Sequence, residues 1–224
     1  MNIIRADSTD EFVRLAVQWL IGIILEEQKD PDHQVVIGLS GGSTPGPVYT
    51  KLAIEKSIDW ERVLFFLVDD RYVPAGDKDS NQKMLWDTML IHNATKARTL
   101  LPNTSLPLED CVRTYDDRIR NIQPDAVVLG MGEDGHIASL FPPVGPEAYG
   151  PAKVIHTTTD KFAVKDRISV TFPVLLRASR RLFLIAGEKK SALLAKMQSS
   201  GEDVSLYPAQ YLFDERTTWI VSKA

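Results

Sequence analysis

Three short segments of this 224-residue chain gather side chains able to do chemistry. The first is Gly130-Met131-Gly132-Glu133-Asp134-Gly135-His136, where closely spaced glycines let the backbone turn sharply around two acids and a histidine. An unperturbed imidazole titrates near ~6.5, so a neutral ring is available at pH 7 to take a proton as a general base. The second, Asp69-Asp70-Arg71, follows an apolar run, where carboxylates and a guanidinium are costly unless solvated or paired. Arg71 suits a phosphate oxygen, and Asp69 or Asp134 would hold the His136 ring in one tautomer. The third, Ser40-Gly41-Gly42-Ser43, precedes a helix, whose free N–H groups suit an anion such as phosphate. A helix dipole supplies only ~0.3–1 kcal/mol at an exposed site, so cations must help. Arg71, Arg167 and Lys190 are the candidates. Taken singly, each segment also has a plain structural reading: a helix-capping turn, a surface ion pair, a histidine satisfied within the fold. The glycine turn is neither a Walker loop nor a GxGxxG fingerprint.

The remaining candidates are weaker. His33 sits in a polar turn, His92 near a helix end and His156 on a short strand, and all three read as solvated or structural. No HxH or HxxxH pair occurs, and one cysteine, Cys111, cannot build a disulfide framework or a cysteine metal site. The cysteine usage fits a reducing cytoplasm. With 26 basic and 30 acidic residues, net charge -4 and no basic tract, nucleic acid is not an expected partner. The polar start lacks the pattern of a signal peptide, and the apolar run at 15–25 is about half of a bilayer span, so a membrane is not expected either.

These segments need rigid elements behind them. Four short β-branched, nearly continuous apolar runs, at 35–39, 63–68, 126–130 and 181–186, read as strands covered on both faces of a parallel sheet. Helical patterns at 9–28, 46–57, 80–91, 109–121 and 188–199 fall around them, with Ser8 and Glu11 forming a capping box for the first. Shorter strands are expected at 153–158, 167–172 and 217–222, and the Pro/Gly-rich stretch 141–151 as an irregular surface loop. Alternating strands and helices predict a single α/β domain over 1–224, a parallel-rich twisted sheet with helices on both faces. Ligands of such sheets bind beyond the carboxyl ends of the strands, where all three segments lie.

SGGSTP at 40–45, DDRYVP at 69–74, DSN at 79–81, GMGEDGHIASLFP at 130–142, DRISVT at 166–171 and GEKK at 187–190 resemble, in that order, the 6-phosphogluconolactonases. The likeness runs from about residue 35 to the carboxyl end and includes Pro208-Ala209 and Trp219. It implies a modified Rossmann fold of the sugar-phosphate isomerase/lactonase type, with no metal or organic cofactor expected. It also implies hydrolysis of 6-phospho-D-glucono-1,5-lactone to 6-phospho-D-gluconate, in the oxidative pentose phosphate pathway, by a monomer or weak homodimer. The phosphate would lie on Ser40, Gly41, Gly42 and Ser43 with Arg71, Arg167 and Lys190, while His136, Asp69 and Asp134 serve the lactone. Asp70 replaces the family's usual glutamate, and Ile137 its usual threonine. Glucosamine-6-phosphate deaminases, of the same superfamily, are the alternative enzyme, and DGHIA matches them too. Their pattern has a glutamate seven residues beyond the aspartate, where this chain has Phe141, and DEY where it has Arg71. A third possibility is a sugar-phosphate-binding protein without catalysis.

Overall fold

The computed structural model describes residues 1–222. Seven parallel strands form its central sheet: β1 (Asn2–Ala6), β2 (Val35–Leu39), β3 (Val63–Leu67), β5 (Arg98–Leu100), β6 (Ala126–Leu129), β9 (Arg180–Ala186) and β10 (Thr217–Ser222). Their spatial order is β1-β10-β9-β6-β2-β3-β5. From β2 the chain therefore winds outward through β3 to β5, then returns to the other side of β2 as β6 and continues outward through β9 to β10. The direction of winding reverses between β2 and β6, and a crevice opens beyond their carboxyl ends, as in doubly wound sheets generally.

Successive side chains of a strand point to opposite faces, and here both faces are covered. Val35, Ile37 and Leu39 of β2, with Phe65 of β3 and Val128 of β6, pack beneath α1 (Thr9–Glu27), α2 (Gly46–Ala53) and α3 (Asn81–Thr88). Val36, Phe66, Val127 and Phe183 face a second core with α4 (Leu108–Ile119), α5 (Phe172–Arg177) and α6 (Glu188–Ser199). In that core the Phe183 and Trp219 rings stack at 3.8 Å. No helix among the described residues is long and apolar enough to cross a membrane.

A second sheet departs from the sequence expectation. β4 (Asp69–Arg71), β8 (Asp166–Val170) and β7 (Val154–Thr158) form an antiparallel sheet in the order β4-β8-β7. β4 follows β3 after one residue, so the chain passes directly from the large sheet into the small one. β1, β4, β5 and α5 were not expected: β1 is a largely exposed edge strand, β4 and β5 have three residues each, and α5 is too short to show a helical period. The helix expected to reach residue 57 ends at Ala53. The stretch 141–151, expected to be irregular, contains a 3-10 turn at Pro146–Tyr149 that buries Ala148.

Candidate active site

The crevice holds a cavity of about 530 Å³ lined by the Ser40–Ser43 turn after β2, the 130–136 segment after β6, and the start of α6. All ten residues singled out in the sequence line it: Ser40, Gly41, Gly42, Ser43, Asp69, Arg71, Asp134, His136, Arg167 and Lys190. Two strands placed side by side by the reversal of winding thus bring together residues almost one hundred positions apart.

At one end the chain forms an anion cradle. Ser40 is tied to β6, its N–H and hydroxyl donating to the Val128 carbonyl at 3.1 and 2.9 Å. Its own carbonyl accepts from the buried Tyr49 hydroxyl at 2.9 Å. The Ser40 hydroxyl therefore pins the turn. The N–H groups of Gly41, Gly42 and Ser43 donate to no acceptor among the described residues. A side chain on Gly41 is excluded, since a Cβ there would lie 1.9 Å from the Asn81 side-chain oxygen. Arg71 and Arg167 are register partners across β4 and β8. Like charges directly opposite each other destabilise a sheet unless something offsets them. Arg71 donates to the Asp79 carbonyl and Arg167 to the Val164 carbonyl, while neither forms an ion pair among the described residues. Burial, then the adjacent Arg71 charge, lowers the Arg167 pKa below the ordinary guanidinium value. Lys190 lines the cavity with no ion-pair partner among the described residues, whereas the exposed Lys189 pairs with Glu133 at 3.3 Å.

At the other end stands an acid–imidazole pair. His136 Nδ1 lies 2.5 Å from Asp134 Oδ1, and the other carboxylate oxygen accepts from Lys161 Nζ at 2.6 Å. Burial opposes ionisation of Asp134, but the bonds from His136 and Lys161 outweigh it and hold the carboxyl well below the usual range. With Nδ1 committed to a carboxylate, Nε2 is the nitrogen left for a substrate. Gly132 is required here, because a Cβ would meet the His136 ring at 2.1 Å. Phe141 and Phe162 flank the imidazole at ring distances of 4.8 and 5.7 Å. Ala138 turns through the left-handed region (φ 47°), a strain of about 1–3 kcal/mol in a non-glycine residue. The following residue, Ser139, donates to Asp69 Oδ2 at 2.6 Å.

Of the two acids considered for orienting His136, Asp134 makes the contact. Asp69, bonded to Ser139 and Asn81, instead braces the floor of the cavity. Asp70 faces away, accepting the Arg71 and Asn81 N–H groups at 2.8 and 2.6 Å, and burial pushes its carboxyl up to about 6. Burial likewise pushes the Cys111 thiol up to about 11, an inert group. Asn81, Ser139, Lys161 and Phe162 also line the cavity. Asn81 and Ser139 fall within the segments at 79–81 and 130–142 that carry the family resemblance but have no role at the site assigned from the sequence, and nothing local marks Lys161 or Phe162. The absence of HxH and HxxxH pairs bears only on a compact histidine site; at the opposite end of the sheet a group with a single histidine occurs, the ligand atoms of Glu27, His33 and Asp125 lying within 4.8 Å of one another and His33 Nε2 3.0 Å from Asp125.

Residues 7–220 match the family model described as glucosamine-6-phosphate isomerases/6-phosphogluconolactonase. A probable 6-phosphogluconolactonase from Dictyostelium discoideum is 39% identical over 191 residues, 81% of each chain. The 6-phosphogluconolactonase of Thermotoga maritima is 35% identical over 211 residues, covering 89% of this chain and 88% of that protein. A crystal structure of 6-phosphogluconolactonase from the same organism superposes with a TM-score of 0.87 at 30% identity, covering 99% of both chains. A monomeric glucosamine-6-phosphate deaminase shares the fold, with a TM-score of 0.84 at 19% identity over 100% of this chain and 98% of its own.

Proposed function

The chain belongs to the glucosamine-6-phosphate isomerase/6-phosphogluconolactonase family, and from that footing we propose that it hydrolyses 6-phospho-D-glucono-1,5-lactone to 6-phospho-D-gluconate, the lactone-opening step of the oxidative pentose phosphate pathway. The observation that carries this reading is one cavity with two facing arginines that form no ion pair among the described residues at one end and a carboxylate-held imidazole at the other. A phosphosugar lactone has the matching form, a dianion at one end and an ester carbonyl at the other.

The phosphate rests on the Gly41–Ser43 N–H groups between Arg71 and Arg167, with Lys190 closing the cradle. Binding energy from this unreactive end orients the reacting one. Neutral His136 removes a proton from water as the water oxygen bonds to C1. The C1–ring oxygen bond then breaks, and the imidazolium returns the proton to the departing oxygen. Asp134 holds the tautomer and stabilises the transient imidazolium. A lactone is reactive enough for water to suffice, and Ser40, whose hydroxyl is engaged by Val128, is a poor nucleophile here. No residue in the scheme calls for a metal, and the reaction proceeds in a cytoplasmic setting.

The lactonase reading is favoured over the deaminase one by position 141. Where the deaminase pattern carries a glutamate, a phenyl ring packs 4.8 Å from the imidazole. The test generates the lactone in place with glucose-6-phosphate dehydrogenase and follows acid release with chelator present. Release well above the spontaneous background, with no ammonia from glucosamine 6-phosphate, is expected. Background-level release, or ammonia production, overturns the assignment.

A further inference from the structure

The hairpin loop between β7 and β8 reaches across the cavity and contributes to both of its ends. Arg167 stands in the phosphate cradle, and its guanidinium lies 5.5 Å from the centroid of the Phe162 ring. The other side of the loop brings Lys161 Nζ to 2.6 Å from Asp134 Oδ2, the oxygen not used by His136. We propose that Lys161 is a positioning residue for the acid–base pair, acting through Asp134 without touching the substrate. The inference rests on the lactonase reading for its kinetics, but not for its structural readout.

The two oxygens of Asp134 are each committed, one to the imidazole and one to the ammonium, so the carboxylate cannot rotate away from His136. The ammonium has a second effect. A lone carboxylate beside an imidazole favours the protonated ring, which is useless as a base. Lys161, 2.6 Å from the other carboxylate oxygen, offsets part of that negative charge. Of the other groups lining the cavity, Phe141 and Phe162 are apolar, Glu133 is paired with Lys189 and Asp69 is bonded to Ser139, while the cations Arg71, Arg167 and Lys190 form no ion pair with Asp134 among the described residues. The Lys161 side chain is 53% exposed, so solvent screens its influence. A change of about half a pH unit is the scale to expect.

Lys161→Met and Lys161→Arg variants test this. For Lys161→Met, the acid limb of the kcat/KM profile should move up by about half a unit, with KM nearly constant. Lys161→Arg should restore the wild-type limb. NMR titration of the His136 ring protons in the substrate-free protein should show the same displacement. An unmoved ring titration in Lys161→Met overturns the proposal, as does a raised KM with an unmoved limb, which would make Lys161 a substrate contact. If the wild-type chain lacks lactonase activity, the kinetic arm fails for that reason, while the NMR titration still decides whether Lys161 governs the pair.

Discussion

His136 lines the cavity while Asp70, in the middle of β4, faces away from it, and their surroundings set them opposite tasks. Asp70 is anchored by backbone N–H groups in a buried site that raises its carboxyl to about 6. Its folded value exceeds the unfolded value near ~3.9, so its contribution to stability is fully present below that pH and is lost as pH rises through about 6. Replacing it as Asp70→Asn should flatten the pH dependence of the urea midpoint between ~4 and about 6, read by tryptophan fluorescence against wild type. Asp134 runs the other way. Its folded value is depressed, so the stability it contributes above ~3.9 is lost only as pH falls through the lower value. For His136, general-base action is worth about 10²–10⁴ in rate. His136→Ala should lose that much kcat while still binding 6-phosphogluconate by calorimetry, and Arg167→Ala should show the reverse, a raised KM with most of kcat kept. Nine of the ten residues noticed in the sequence stand out because glycines, acids and cations cluster after apolar runs, and Arg167 because it opens a short alternating strand. The contacts of Ser139 and Lys161 do not: their partners are 70 and 27 positions away, so neither the position of Ser139 within the 130–142 segment nor anything near Lys161 reveals the bond each makes.

At the scale of elements, placement follows from the reversal of winding between β2 and β6, which sets the cradle beside the acid–imidazole pair. The Gly41–Asn81 contact shows how α3 supports it: the Asn81 side chain lies over the glycine and also donates to the Asp69 carbonyl at 2.8 Å. Gly41→Ala must displace Asn81, and the expected result is a KM for the lactone raised about tenfold or more with circular dichroism unchanged. A change of this size corresponds to ~1.4 kcal/mol, the order of one hydrogen bond to a charged group. The four buried runs were legible because strands covered on both faces leave a continuous apolar signature. The small sheet was only half legible. β7 and β8 carry enough alternation to be noticed, but β4 pairs Asp69–Arg71 with residues almost one hundred positions later, a contact with no local pattern.

Across the whole molecule, chemistry and stability occupy opposite ends of the central sheet. At the amino end of β9, Arg181 is fully buried and bonded to Asp214, the Thr217 hydroxyl and the Leu175 carbonyl. Asp214 is itself 35% exposed, so solvent offsets part of the cost, but its removal leaves the buried Arg181 charge without its carboxylate. Asp214→Ala should therefore lower thermal stability markedly without changing KM at temperatures where the variant stays folded. The fold class was legible from strand–helix alternation, while the strand order was not, because it depends on crossovers between distant segments.

A crystal structure with 6-phosphogluconate bound tests the orientation of the ligand in the cavity most directly. The phosphate should lie on the Gly41–Ser43 turn between Arg71 and Arg167, and the carboxylate should be within hydrogen-bond reach of His136 Nε2, directly or through one water. A ligand bound the other way round, with its phosphate at His136, would contradict this placement.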